Sequence, residues 1–258
     1  MISLPLAFFF FATALLYASV GFGGGSTYNA LLVLGGTDYR AIPAIALVCN
    51  ILVVSVGSWR FAVTGNVPLT RIWPLFTLSI PLAWLGGTIP VAERTFIGLL
   101  AASLFVAGIA MLSQRYHAED GNSRENFSWI EPLIGGGLGF LAGIVGIGGG
   151  IFLAPVLHLL RWGRAKQIAG TCAVFILVNS VAGLFGQFLK ADGFDRIGAL
   201  QAHWLLFVAV VAGGGIGASI GSGPLSARHL RYATAILVLY VAVRLALRFS
   251  SLASGSNG

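Results

Sequence analysis

The chain carries one glycine-rich motif twice, as Val20-Gly21-Phe22-Gly23-Gly24-Gly25 and as Val145-Gly146-Ile147-Gly148-Gly149-Gly150. An apolar run leads into each copy, and a short apolar segment follows each copy, at 26–34 and at 151–160. Two further pairs recur in the same order, Arg40-Ala41 with Arg164-Ala165 and Pro90 to Arg94 with Pro224 to Arg228. Three matching landmarks in one order indicate two copies of one structural repeat.

The composition indicates the solvent in which these repeats fold. The chain is 57% hydrophobic and 9% charged, with a mean hydropathy of +0.91. A soluble domain usually carries about 25% charged residues, so this chain lacks the residues for a water-exposed shell. The net charge of +7 comes from basic residues that stand singly in short loops, a pattern of membrane orientation rather than of nucleic-acid binding. We therefore expect the lipid bilayer, and no nucleic acid, as a partner.

The hydrophobic pattern divides each half into about five helical segments, of which the second is too short to cross a bilayer alone. The segments are 4–20, 26–34, 42–59, 72–88 and 95–112, then 132–145, 151–160, 168–189, 200–221 and 230–247. The predicted organisation is a first membrane repeat at 1–112, a polar linker loop at 113–130, a second repeat at 131–249 and a polar tail at 250–258. The predicted fold is an all-α integral membrane protein with Gly-broken or re-entrant short helices.

An odd number of segments gives the two halves opposite orientations, because a half that enters on one side finishes on the other. The pattern thus predicts inverted-topology repeats, a common transporter design. The side predicted to be cytoplasmic holds nine of the 15 Lys and Arg residues, namely Arg60, Arg71, Arg115, Arg124, Arg161, Arg164, Lys166, Arg228 and Arg231. This places both termini on the periplasmic side of a bacterial inner membrane.

The glycine clusters are candidate binding sites for a small anion. They put irregular backbone at membrane depth, which is tolerated where it is buried in protein or lines a cavity. The helix that follows begins with free N–H groups and a partial positive charge, which favour anions. The candidate substrate-binding residues are Gly23, Gly24, Gly25, Ser26, Thr27, Asn29, Asn50, Gly148, Gly149, Gly150, Thr171, Asn179 and Gln187.

The alternative for these residues is a structural role: the glycines let helices pack closely, and the polar side chains bond between helices. We favour close packing for the glycine triplets at 135–137 and 213–215. His158 lies on the second short segment, where the membrane edge and a proton-carrying role are the alternatives. No acidic residue lies deep in a predicted span, and no Cys or His spacing suggests a metal or cofactor.

The two halves resemble the TauE/SafE family of sulfite and organosulfonate exporters. The resemblance covers nearly the whole chain and is closest in Gly146-Ile147-Gly148-Gly149-Gly150-Ile151-Phe152-Leu153-Ala154-Pro155, followed by Ala165 and Thr171. The first half departs from it, because Ser26-Thr27-Tyr28-Asn29-Ala30 lacks the proline often found there. The resemblance implies a transporter, rather than an enzyme, for sulfur-containing anions such as sulfite, thiosulfate, sulfoacetate or other organosulfonates. We expect an exporter that works by alternating access at the paired glycine-rich breaks, although the resemblance itself does not give the direction.

Two other functions are open from the sequence, an anion channel and a permease for a different small organic anion. An intramembrane protease is disfavoured, because Ile220-Gly221-Ser222-Gly223 lacks the required Gly-x-Ser-Gly spacing. The exact anion, the direction of transport, coupling to a proton or another ion, and self-association into a homo-oligomer are equally open.

Overall fold

The computed structural model describes residues 4–113, 129–190, 193–221 and 227–254, and within these ranges it contains helices and no strand. The helices are α1 Leu4–Ser19, α2 Gly25–Leu34, α3 Ile42–Val63, α4 Leu69–Thr88, α5 Glu93–Ser113, α6 Glu131–Val145, α7 Gly150–Leu159, α8 Ala165–Phe188, α9 Gly193–Ala202, α10 Trp204–Gly221 and α11 Ala227–Ser254. The all-α prediction is confirmed. Most of the predicted linker, residues 114–128, lies outside the described residues.

Three of the described helices are long and apolar enough to cross a membrane, Ile42–Val63, Glu93–Leu112 and Lys166–Phe188. Shorter apolar helices accompany them, including α7. The predicted short segments α2 and α7 begin within one residue of their predicted starts. The two largest differences from the prediction lie at the end of α11 and in the span at 200–221. Helix α11 continues to Ser254, so the described part of the predicted polar tail is helical.

The predicted span at 200–221 is two helices, because the chain turns at His203 between α9 and α10. The His203 amide donates to the Leu200 carbonyl oxygen (3.0 Å), and its ring Nδ1 lies 2.7 Å from the Ala199 carbonyl oxygen. Both contacts use carbonyl groups that a continuous helix would need for its own ladder. Helix α9 is also more polar than a membrane span, with Asp195, Arg196 and Gln201 in ten residues.

Glycines let helices from different halves pack at backbone distance. A Cβ added at Gly135, Gly139 or Gly143 of α6 would overlap the carbonyl oxygens of Leu75, Ser79 or Ala83 on α4. In the same way, Gly213 and Gly217 of α10 lie on the carbonyl oxygens of Phe11 and Leu15 on α1. The predicted packing role is confirmed for Gly135, Gly136 and Gly213, whereas a Cβ at Gly214 would stand at ordinary contact distance from Val53 (3.4 Å). It does not hold for Gly137 and Gly215, which have no neighbour within 4 Å of an added Cβ.

Two other helix pairs between the halves are antiparallel. Near one end of the α3–α8 contact Gly170 lies against Phe61, and near the other end Gly183 lies against Leu47. In the α5–α11 contact, Gly98 lies against Phe249 and Gly108 against Leu239. Helices α3 and α8 are the third segments of their halves, and α5 and α11 are the last. The core is therefore built between the halves, with α3 and α8 at its centre.

Candidate functional site

The chain leaves the helical conformation at two glycine-rich stretches: the first break, residues 20–24, and the second break, residues 146–149. Gly21 and Gly24 have φ angles of +87° and +83°, and the three glycines of the second break lie between +75° and +79°. Residues with a Cβ rarely adopt this left-handed region, which explains why the motif is rich in glycine. The last glycine of each break is the N-cap of the short helix that follows.

Each break ends in a row of backbone N–H groups without an acceptor. At the first break these belong to residues 23–26, and at the second to residues 148–151. No acceptor for them exists among the described residues, and neither N-cap contributes a side chain, since both are glycine. All of these residues are buried. A buried N–H group without a partner is costly, so each row is a preformed set of donors for a buried anion.

Asn50 of α3 joins the two breaks. Its Nδ2 donates to the Ile147 carbonyl oxygen in the second break at 3.0 Å. On the other side its amide lies against the first break, where a Cβ added at Gly23 would stand 2.5 Å from Oδ1. The side chain is fully buried, so the breaks lie within one asparagine side chain of each other. The two breaks are therefore close together in space, as the sequence predicts.

The predicted asparagines make hydrogen bonds within the protein and keep free oxygens. Asn29 of α2 donates from Nδ2 to the Val145 carbonyl oxygen at 2.6 Å, at the end of α6. Asn29 and Asn50 thus serve carbonyl groups that become free where α6 ends. Because the amide nitrogens are used in this way, the oxygens are fixed in orientation, and both Oδ1 atoms are buried without a partner. The amide nitrogens of Asn29 and Asn50 therefore have the structural role of hydrogen bonding within the protein, whereas their oxygens do not.

Hydroxyl groups surround the first break. The Tyr17 hydroxyl lies 2.8 Å from Thr27 Oγ1 and 3.4 Å from Ser26 Oγ, so these predicted residues are partnered by a tyrosine. The Tyr28 hydroxyl is fully buried, has no partner, and would stand 3.0 Å from a Cβ at Gly24. Sequence reasoning missed both tyrosines, although Tyr28 stands between two predicted polar residues.

The second break has different surroundings. Where Gly23 and Gly25 face Asn50, the corresponding Gly148 and Gly150 face the apolar side chain of Ile176 on α8. Ser180, one turn further along α8, brings its unpartnered hydroxyl to 2.8 Å from a Cβ at Gly148. The polar groups between the breaks thus come mainly from the first half of the chain.

The remaining predicted residues lie on α8. Thr171 is buried with an unpartnered hydroxyl, and Asn179 donates to the Phe175 carbonyl oxygen one turn back along the helix (2.8 Å). Gln187 donates to the Gly143 carbonyl oxygen at 3.2 Å and accepts from Lys190 Nζ at 2.9 Å. It lies seven residues beyond Ser180, about 10 Å along the helix. The structure therefore does not bring Gln187 to the breaks.

Charged side chains lie away from the breaks. Where the burial of a Lys or Arg side chain is described, that side chain is exposed or half-buried, and no group of His, Cys, Asp and Glu among the described residues could hold a metal ion. Glu131 is a buried acidic residue at the start of α6. Its carboxylate accepts a hydrogen bond from Trp162 Nε1 at 2.9 Å. Arg71 stacks on the Trp162 ring with 4.5 Å to the centroid. His158 is exposed, which agrees with the membrane-edge alternative.

The comparisons with known proteins agree with this architecture. The profile of the family described as Sulfite exporter TauE/SafE matches residues 6–245. A probable membrane transporter protein of Sinorhizobium fredii is 37% identical over 246 residues, covering 94% of this chain and 98% of the relative. A probable membrane transporter protein of Methanocaldococcus jannaschii is 25% identical, covering 86% of each chain. No solved structure matches the chain. With its apolar helices and this match along nearly its whole length, the chain belongs to the TauE/SafE family of multi-pass membrane transporters.

Proposed function

We propose that the protein is a secondary transporter of small sulfur-containing anions and that the anion binds between the two breaks. The observation that carries the proposal is the pair of buried, unpartnered N–H rows on either side of Asn50. Sulfite, thiosulfate, sulfoacetate and other organosulfonates present several acceptor oxygens, which such donors match. Because glycine has no Cβ, the oxygens of the anion can approach these N–H groups closely.

The chemistry of the donors suits a transport site. Backbone N–H groups and the hydroxyls of Tyr28 and Ser180 stabilise an anion by hydrogen bonds and dipoles without a fixed charge. A site without a buried cation holds its anion less tightly than an arginine clamp would, which allows release on the other side. Sulfur as the central atom rests on the family, whose printed description is a sulfite exporter.

Inverted repeats and alternating access are part of this proposal. Two pairs of equivalent helices from the two halves pack antiparallel, α3 with α8 and α5 with α11. An axis in the membrane plane between the halves would produce this relation and place both breaks near the midplane. Movement of one half against the other would then expose the anion to each side in turn.

The orientation is proposed from the basic residues. The contact of Phe61 with Gly170 supports a common end for Arg60 and Arg164, and Arg71 joins them through Trp162. These belong to the larger set of basic residues, so this end is proposed to be cytoplasmic, with both termini periplasmic. Export as the proposed direction rests on the family description, which names an exporter. Coupling of the flux to a proton or another ion is tested by flux measurements with and without an ion gradient. Self-association is tested by measuring the mass of the purified protein in detergent.

A proteoliposome assay tests the proposed function. The purified protein is reconstituted and offered sulfite, thiosulfate, sulfoacetate, taurine or sulfate, each with and without a pH gradient. We expect saturable flux of at least one sulfur anion, with protection of the protein against thermal unfolding by the same anion. Flux that rises linearly with concentration would favour a channel. If no sulfur anion is transported or protects, the proposed function fails.

A further inference from the structure

The charge available between the breaks sets a limit on the charge of the substrate. The N-terminus of α2 lies beside Asn50, as does Gly148, which directly precedes the N-cap of α7, and each helix is ten residues long. A helix N-terminus is equivalent to about +0.5 elementary charge, so the two together offer about +1. Each Lys or Arg side chain whose burial is described is exposed or half-buried, so none of these adds a buried charge. The site is therefore matched to one negative charge.

The free oxygens between the breaks act in the same direction. Asn50 Oδ1 and Asn29 Oδ1 are buried, without partners, and fixed by the hydrogen bonds of their nitrogens. Asn50 Oδ1 lies against Gly23 and Gly25 of the first break and presents partial negative charge to an anion bound there. A dianion would leave one full charge uncompensated in a buried environment and would also face this oxygen, and such burial is strongly unfavourable.

We infer, on the basis of the proposed function, that the transported species carries a single negative charge. This class includes hydrogensulfite and simple alkanesulfonates. It excludes sulfite in its dianionic form, thiosulfate, sulfate and the doubly charged form of sulfoacetate. Among the sulfur anions of the proposed function, those with a single negative charge are then the ones that the protein transports.

The protein groups around the breaks keep their charge across neutral pH. On the described residues of α1, α2, α3 and α8, the buried titratable side chains are Tyr17, Tyr28, Cys49 and Cys172, whereas Arg60 and Lys166 are exposed near the ends of α3 and α8. Tyrosine and cysteine are ordinarily neutral at this pH. On α6 and α7 the titratable groups are Glu131 and His158, at the helix ends away from the breaks. A pH dependence of the flux then reports on the anion itself.

The test uses the unmodified protein in proteoliposomes. Initial rates are measured for sulfite at a total concentration well below KM, at pH values on both sides of its second ionisation. Methanesulfonate, a monoanion at every pH used, is measured in parallel and serves as the control for any effect of pH on the protein or on a coupled ion. The ratio of the sulfite rate to the methanesulfonate rate is the readout.

We expect this ratio to fall about tenfold for each pH unit above the second ionisation of sulfite, following the monoanion fraction. Sulfate and thiosulfate should neither be transported nor compete. A ratio that stays constant or rises with pH would overturn the inference, as would transport of thiosulfate or sulfate at the rate of methanesulfonate. Each of these results leaves the proposed function standing, whereas absence of flux for every sulfur anion would refute the proposed function itself.

Discussion

Substitution of Asn50 by aspartate places a negative charge between the two breaks with almost no change in volume. The side chain is fully buried, within reach of Gly23 and Gly25 on one side and Ile147 on the other. The free N–H groups nearby favour the ionised form of the new carboxylate. It therefore repels a bound anion and also competes with it for the same donors.

The repulsion can be estimated from the geometry. An anion that accepts from the Gly25 N–H group would lie about 4 Å from the new carboxylate, which at an effective dielectric constant of about 20 corresponds to about 4 kcal/mol. Since about 1.4 kcal/mol is a factor of ten, the affinity should fall by about three orders of magnitude. At accessible substrate concentrations the Asn50→Asp variant should show no saturable flux.

Asn50→Leu is the matched control. It removes the same donor to Ile147, so both variants leave that carbonyl group unpaired at a cost of about 1–3 kcal/mol in the free energy of unfolding. They differ in charge, and the leucine variant should retain far more affinity. The assay is the KM for flux in proteoliposomes, with thermal unfolding in detergent to show that both variants fold. If the aspartate variant is folded and transports with an affinity within tenfold of the leucine variant, the anion does not bind between the breaks.

Three further substitutions test packing and hydrogen bonding. Gly143→Ala should lower the free energy of unfolding by about 1–3 kcal/mol, because the added Cβ overlaps the backbone of α4. Gly137→Ala has open space around it and should raise the free energy of unfolding by up to about 1 kcal/mol. Thermal unfolding in detergent distinguishes the two variants. Tyr28→Phe removes an unpartnered hydroxyl, so it should raise KM about three- to tenfold without loss of stability. Tyr17→Phe breaks a hydrogen bond and should lower the free energy of unfolding by about 1 kcal/mol. Equal KM values for Tyr28→Phe and the unmodified protein would show that Tyr28 does not contact the anion. Trp162→Phe removes the donor to the buried carboxylate of α6 and should cost about 1–3 kcal/mol, and an unchanged midpoint of thermal unfolding would show that this bond contributes nothing.

The sequence predicts the breaks well because their causes are local. Left-handed glycines at the ends of apolar runs mark where α1 and α6 stop, and the starts of α2 and α7 follow within one residue. The division of 200–221 was missed for a related reason. Its apolar content hides the turn at His203, which depends on how side-chain and backbone groups compete for carbonyl oxygens.

The partners of the polar residues are less predictable, because they depend on contacts between distant parts of the chain. Asn50 and Ile147 are 97 positions apart, and Asn29 and Val145 are 116 apart. Residue type alone could therefore identify the asparagines but not the carbonyl groups they serve. Gln187 also carries a side-chain amide and lies on α8, which packs against α3. Its hydrogen bonds are nevertheless to Gly143 and Lys190, away from the breaks.

The most direct test of the account is the location of the anion in an experimental structure. Selenite is a close analogue of sulfite, and selenium gives anomalous scattering that identifies it in a crystal of the protein. We expect an anomalous peak within hydrogen-bond distance of the N–H groups of residues 23–26 or 148–151, beside Asn50. A peak among the basic residues at the helix ends, with none between the breaks at a saturating concentration, would contradict it.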